Sequence, residues 1–120
     1  MFAGWQARRL ATHIEAALPG RIYIRDLAAL LNLSVSHFSR LFKRTFGASA
    51  QVWIRRRRIE LAQALMLTTE APLSAIAQSC GMSDQSHFTN AFRRMVGETP
   101  HAWRKSRRVS QSQLTVGSAG

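Results

Sequence analysis

Six acidic residues, three prolines, one cysteine and one tyrosine are all that this 120-residue chain holds of those types. Each shortage excludes something. Cys80 stands alone, so no disulfide forms within the chain, and a single thiol fits a reducing compartment. Six scattered acids offer no paired carboxylates, no nucleophile–base set accompanies them, and no glycine-rich loop is built to cradle phosphate. The chain therefore does not read as an enzyme, and no cofactor is implied. No apolar run approaches the ~20 residues a membrane helix needs, and no basic segment followed by an apolar core opens the N-terminus. These absences point to a cytoplasmic protein with no membrane partner. Two-residue alternation of apolar and polar positions is also missing, which leaves an all-α fold.

Positive charge is abundant. Seventeen Lys+Arg face six Asp+Glu for a formal net charge of +11, and fifteen of the seventeen are Arg. The planar guanidinium fork matches phosphate oxygens and guanine edges, so the balance points to nucleic acid. His37 and His87 have no His, Cys or acid four residues on, and no metal site is expected.

Punctuation divides the chain into seven helical segments. Leu10, Ile14 and Leu18 recur at four-residue steps in Trp5–Leu18, which Pro19-Gly20 stops. Asp26–Leu31 forms a short helix. Ser34 caps Val35–Phe46, ended by Gly47, and Ser49 caps a long helix reaching Thr68. Pro72 admits a helix over Leu73–Cys80, Ser83 or Asp84 caps the next as far as Gly97, and Pro100 opens a last one to about Lys105. This gives a first helix-turn-helix subdomain over 1–48, a linker helix over 49–68, a second subdomain over 69–106, and a disordered polar tail over 107–120.

The organising fact is a repeat. SHFSRLFKRTFGASAQVW, from Ser36 to Trp53, returns as SHFTNAFRRMVGETPHAW, from Ser86 to Trp103. Upstream, Leu27–Ser34 corresponds to Ile76–Ser83, with Gln85 then read as a one-residue insertion. Each copy is a short helix, a tight turn and a longer helix. The turn needs a residue at positive φ, and Asn32 and Gly81 hold that place in the two copies.

Placed at 100° per residue, Phe38, Leu41, Phe42, Thr45 and Phe46 fill one arc of the first long helix, opposite Ser36, Ser39, Arg40 and Lys43. In the second, Phe88, Ala91, Phe92, Met95 and Val96 oppose Ser86, Thr89, Asn90 and Arg93. Neither polar arc carries an acid. Hydroxyls and amides mixed with cations suit a major groove.

The second copy resembles the C-terminal signature of the AraC/XylS family of bacterial transcription regulators in Gly81, Ser83-Asp84, Ser86, Phe88, Phe92, Arg93-Arg94, Gly97, Thr99-Pro100 and Trp103. The first resembles the family's first unit in Ser34, Ser36, Arg40, Phe42-Lys43 and Gly47. The resemblance covers about residues 8 to 106. It implies seven helices, two helix-turn-helix units joined by a long helix, and two recognition helices in successive major grooves on one DNA face. It also implies contact with RNA polymerase, a role as activator, and a place at the bacterial nucleoid. With Met1 as the true start, the chain resembles small stand-alone members, monomeric on DNA. Two departures stand out: Ala50 where the family often has Pro, and Asn90 where it often presents Arg.

The candidate base contacts are Ser36, Ser39, Arg40, Gln85, Ser86, Thr89 and Asn90, and the candidate phosphate contacts Lys43, Arg44, Arg93, Arg94 and Lys105. A linker of twenty residues would be about 30 Å long, close to the ~34 Å between successive major-groove segments. Within RRRR (Arg55–Arg58), Arg56 and Arg57 fall on a polar face open to phosphate or water, while Arg58 joins the apolar arc as a structural arginine. Trp53 and Trp103 are read as core anchors. An architectural protein that binds DNA with little sequence preference and a helical protein-interaction module with an incidental basic surface remain the rival readings.

Overall fold

The computed structural model describes residues 1–108, and among them seven helices and no strand. They are α1 (Gly4–Ala17), α2 (Ile24–Leu30), α3 (Val35–Phe46), α4 (Ala50–Thr68), α5 (Leu73–Ser79), α6 (Gln85–Val96) and α7 over residues 100–108. The chain divides into two compact units, Met1–Arg58 and Ile59–Gly120, and the boundary falls within α4.

Local chemistry sets the helix ends. The Ser34 hydroxyl accepts from the His37 amide at 3.1 Å, and the Ser49 hydroxyl from the Val52 amide at 3.3 Å. The Asp84 carboxylate accepts from the Ser86 and His87 amides at 2.9 and 3.3 Å, so Asp84 rather than Ser83 caps α6. Thr99 caps α7 by accepting from the Ala102 amide at 3.2 Å, with Pro100 in the first turn. Helix α2 begins two residues earlier than expected, because the Tyr23 carbonyl already accepts from the Asp26 and Leu27 amides.

In the first unit the core is Leu10, Ile14 and Leu18 of the α1 segment, Leu27 and Ala28 of α2, Phe38 and Phe42 of α3, and Ile54 of α4. A run of rings crosses it. Phe2 meets Phe38, Phe38 meets Phe42, Phe42 stacks on Phe46 at 4.3 Å, and both Phe42 and Phe46 touch Trp53. Phe2 lies upstream of every sequence signal, yet it is buried, and its amide donates to the Thr45 hydroxyl at 2.8 Å.

The second unit packs Ile59, Ala62 and Met66 of α4 against Ile76, Ala77, Cys80, Met82, Phe88, Ala91, Phe92 and Trp103. Its rings are fewer: Phe92 contacts Phe88 at 5.9 Å and Trp103 at 5.8 Å. Cys80 is fully buried, in the place of a small core side chain.

Arginines close both units. Arg58 donates to the Gly20 carbonyl at 2.7 Å, just past the end of α1. Fifty residues on, Arg108 donates to the Thr69 carbonyl, just past the end of α4, and grips both Glu70 carboxylate oxygens at 2.8 and 2.9 Å. Arg104 adds bonds to the carbonyls of Met66, Thr69 and Ala71 at 3.1, 2.7 and 2.7 Å. Carbonyls at a helix C-terminus lack intrahelical partners and carry partial negative charge, so a guanidinium fork satisfies them well. These bonds explain why α7 runs to residue 108 rather than ending near Lys105. Of the expected polar tail, residues 109–120 lie outside the described residues.

Candidate nucleic-acid interface

The two turns have the backbone the sequence demands. Asn32 sits at φ 57° and Gly81 at φ 78°. In each turn the next amide, of Leu33 or Met82, donates back across five residues to the Ala28 or Ala77 carbonyl at 2.9 Å. Helix α2 thus packs on α3, and α5 on α6, in two helix-turn-helix units.

The caps correct the register of the repeat. One residue, Leu33, separates Asn32 from the cap Ser34; two, Met82 and Ser83, separate Gly81 from the cap Asp84. The extra residue is therefore Ser83, in the turn, and Gln85 is not an insertion. Gln85 is the first residue of α6, as Val35 is the first of α3. Both helices then run twelve residues to a left-handed glycine, Gly47 and Gly97.

On α3, Ser36, Ser39, Arg40, Lys43 and Arg44 are all exposed, while Phe38 and Phe42 are buried. On α6, Gln85, Ser86, Asn90, Arg93 and Arg94 are exposed and Thr89 is half-buried at the margin. Gln85, Ser86, Thr89 and Asn90 surround one shallow hollow, and Asn90, Arg93 and Arg94 another. Lys105 is exposed on α7 and lines neither. His37 and His87 are exposed rather than packed. Among the described residues no group of His, Cys, Asp or Glu could hold a metal ion, and no helix is long and apolar enough to cross a membrane.

Arg40 and Asn90 occupy the same helical position but are held differently. The Arg40 guanidinium donates to the Ser36 hydroxyl one turn back at 3.4 Å, a weak exposed contact that orients the fork. Among the described residues, no hydrogen bond joins Asn90 to Ser86 (the equivalent pair).

The arginine run separates into roles. Arg55 and Arg56 are exposed. Arg57, which the sequence leaves open to phosphate or water, instead pairs with Glu15 across the first unit. Arg58 is structural, as its place in the apolar arc indicates.

One basic cluster lies outside every sequence motif. The Arg25 guanidinium sits 4.7 Å from the Tyr23 ring centroid. Tyr23 also raises the pKa of Arg21, first by side-chain hydrogen bonding and then by charge. Arg21 and Arg25, both exposed, thus share the Tyr23 side chain at the start of α2. An Asp26 carboxylate oxygen lies 4.0 Å from Arg25 Nε. Alternation of Arg with an aromatic over Arg21–Arg25 was the available signal.

Residues 27–106 match a helix-turn-helix domain family. Among individual proteins, the chain is 39% identical over 74 residues to a probable transcriptional regulator, LumQ of Photobacterium leiognathi, covering 62% of this chain and 30% of that one. Among solved structures, the DNA-binding domain of the global transcriptional factor AdpA, determined with a target DNA, superposes with a TM-score of 0.84 at 25% identity, covering 88% of this chain and 96% of that one. A probable AraC family transcriptional regulator from Rhodopseudomonas palustris gives 0.69 at 33% identity, over 79% and 90% of the two chains. The chain belongs to this helix-turn-helix family, of the AraC type. It spans between a quarter and a third of the length of the curated relatives it matches.

Proposed function

We propose that this chain is a sequence-specific, double-stranded-DNA-binding transcription regulator of the bacterial cytoplasm and nucleoid, acting by binding and not by catalysis. Each unit offers its second helix, α3 or α6, to one major-groove segment, and the two segments lie about one helical turn apart on one DNA face. The observation that carries this reading is the recurrence of one exposed polar arc, free of acids, at matching positions of two helix-turn-helix units.

Ser36, Ser39, Arg40, Gln85, Ser86, Thr89 and Asn90 read base edges in this scheme. Arg donates a bidentate pair to guanine O6 and N7, whereas Asn pairs with adenine N6 and N7. Unlike half-sites follow, with guanine under Arg40 and adenine under Asn90. Lys43, Arg44, Arg93, Arg94 and Lys105 hold phosphates, and Arg21 and Arg25 join them beside the first half-site. The chain binds as a monomer and activates transcription through polymerase contact, a part of the proposal that rests on family likeness. AdpA's domain was solved with a target DNA, which supports the same partner class here.

The test is selection of binding sites by the intact chain from random duplexes, followed by salt titration. An asymmetric site bound with a steep salt dependence supports the proposal. Equal affinity for selected and random duplexes supports an architectural protein instead, and absence of salt-sensitive binding removes DNA as the partner.

A further inference from the structure

Val35 is a large apolar side chain left 47% exposed at the first position of α3. At 100° per residue Val35 stands 20° from Phe42 and 60° from Phe38, yet those two are buried and Val35, in the first turn, is left outside the core. It lies on the side of the apolar arc that meets the polar one. At 100° per residue Ser39 stands 40° away and Ser36 100° away. Ile24 of α2, Val35, Ser39, and Ser49, Ala50 and Gln51 at the start of α4 together line one hollow of about 280 Å³. The equivalent position in the second unit carries an amide, Gln85. The first turns of α3 and α6 therefore expose opposite chemistry, one apolar and one hydrogen-bonding.

We propose that Val35 is a specificity residue that reads the C5 methyl group of a pyrimidine, thymine in ordinary DNA, under the N-terminal turn of α3. This rests on the reading of the chain as a major-groove binder. Residues of the first turn of such a helix face base edges, and the thymine methyl is the one apolar group the major groove presents. Valine suits the task because its β-branch leaves a single strongly preferred rotamer in a helix, so its methyl groups are fixed without a partner. Ser39, one turn on, lines the same hollow and is free to bond a neighbouring base edge or phosphate. Gln85 has no use for a methyl group, so the second half-site should lack this sensitivity. The partner is a single methyl and not an apolar protein surface, because the other exposed side chains of the α3 arc are hydroxyls and cations.

The experiment uses the intact chain and its selected duplex. Each thymine is replaced in turn by deoxyuridine, which removes the C5 methyl and keeps the pairing. One thymine of the first half-site should lose about fourfold in affinity, the worth of one buried methyl. Val35→Ala should bind the parent duplex more weakly by a similar factor and become indifferent to that replacement. A second selection, from duplexes made with 5-methylcytosine, separates the two possible sources of the methyl. That position should then accept 5-methylcytosine where the ordinary library yields thymine alone. Methyl sensitivity that survives Val35→Ala, or a first half-site with no methyl-sensitive thymine, overturns the assignment. An intact chain that selects no site at all fails earlier, at DNA binding itself.

Discussion

The two units share one backbone plan and differ in almost everything mounted on it. Turns at Asn32 and Gly81, capped twelve-residue helices and closing arginines recur in both. Charge does not recur. Residues 1–58 hold eleven Lys+Arg against two Asp+Glu, a formal +9, while residues 59–120 hold six against four, a formal +2. Of those six, Arg104 and Arg108 already bind backbone carbonyls within their own unit. The cores diverge too: five rings link up in the first unit, three in the second, where methionine and cysteine fill the space. A duplicated frame fixes where side chains point and leaves their chemistry free. We infer that both units discriminate, the first with a charged reader and the larger share of the sequence-independent hold on DNA, the second through neutral hydrogen-bonding groups.

The sharpest way to break the comparison is through the cores. Phe42 touches three other rings and Phe92 two, and both are fully buried. Phe42→Ala and Phe92→Ala should each cost about 3–5 kcal/mol, the former more. Amide exchange should show lost protection in α2 and α3 for Phe42→Ala and in α5 and α6 for Phe92→Ala. Equal loss across both units in either variant would contradict separate cores.

The turns give a smaller contrast. Gly81→Val forces a β-branched residue to positive φ and should destabilise by about 1–3 kcal/mol in a thermal or denaturant melt. Asn32→Gly, at the equivalent place, should be neutral or mildly stabilising.

Charge is read by salt titration. Seven phosphate contacts, Arg21 and Arg25 included, give a log–log slope of about −6 for the intact chain. Removing Lys43 or Arg93 should flatten it by about one unit and weaken all sequences alike. Arg21→Gln with Arg25→Gln should flatten it by up to about two units without altering the selected site. A slope unmoved by the last pair removes that cluster from the phosphate set.

The smallest effect concerns pH. Arg108 holds the Glu70 carboxyl below its ordinary range, by hydrogen bonding first and by charge second. A depressed folded pKa adds stability above the unfolded value and loses it as pH falls through the folded one. The group is solvent-exposed, so the loss in acid should be slight. Glu70→Gln should be slightly less stable than the parent at neutral pH and match it in acid, which flattens the low-pH end of the stability profile.

The helices, their caps and both turns were legible in the sequence because each depends on neighbours within a few residues. Ser34, Asn32, Gly47 and Gly81 announce themselves locally. The exposure of the two polar arcs was legible for the same reason. Contacts between residues 38 to 43 apart were not: Phe2 on Thr45, Arg57 on Glu15, Arg58 on Gly20 and Arg108 on Thr69 follow from packing that no local pattern encodes. The register slip at Ser83 had another cause. Ser83 and Asp84 are both good caps, and only the observed amide contacts choose between them. That slip concealed the equivalence of Gln85 with Val35, and with it the contrast between the first turns of α3 and α6.

Site selection with the intact chain and two variants tests the central claim, two unlike readers on one repeated frame. The parent should select an asymmetric site with guanine in one half and adenine in the other. Arg40→Ala should relax selectivity at one base pair of the first half-site, at a cost of about 1–3 kcal/mol, and leave the second unchanged. Asn90→Arg should move the second half-site toward guanine and leave the first unchanged. Either substitution altering both half-sites equally would contradict the account.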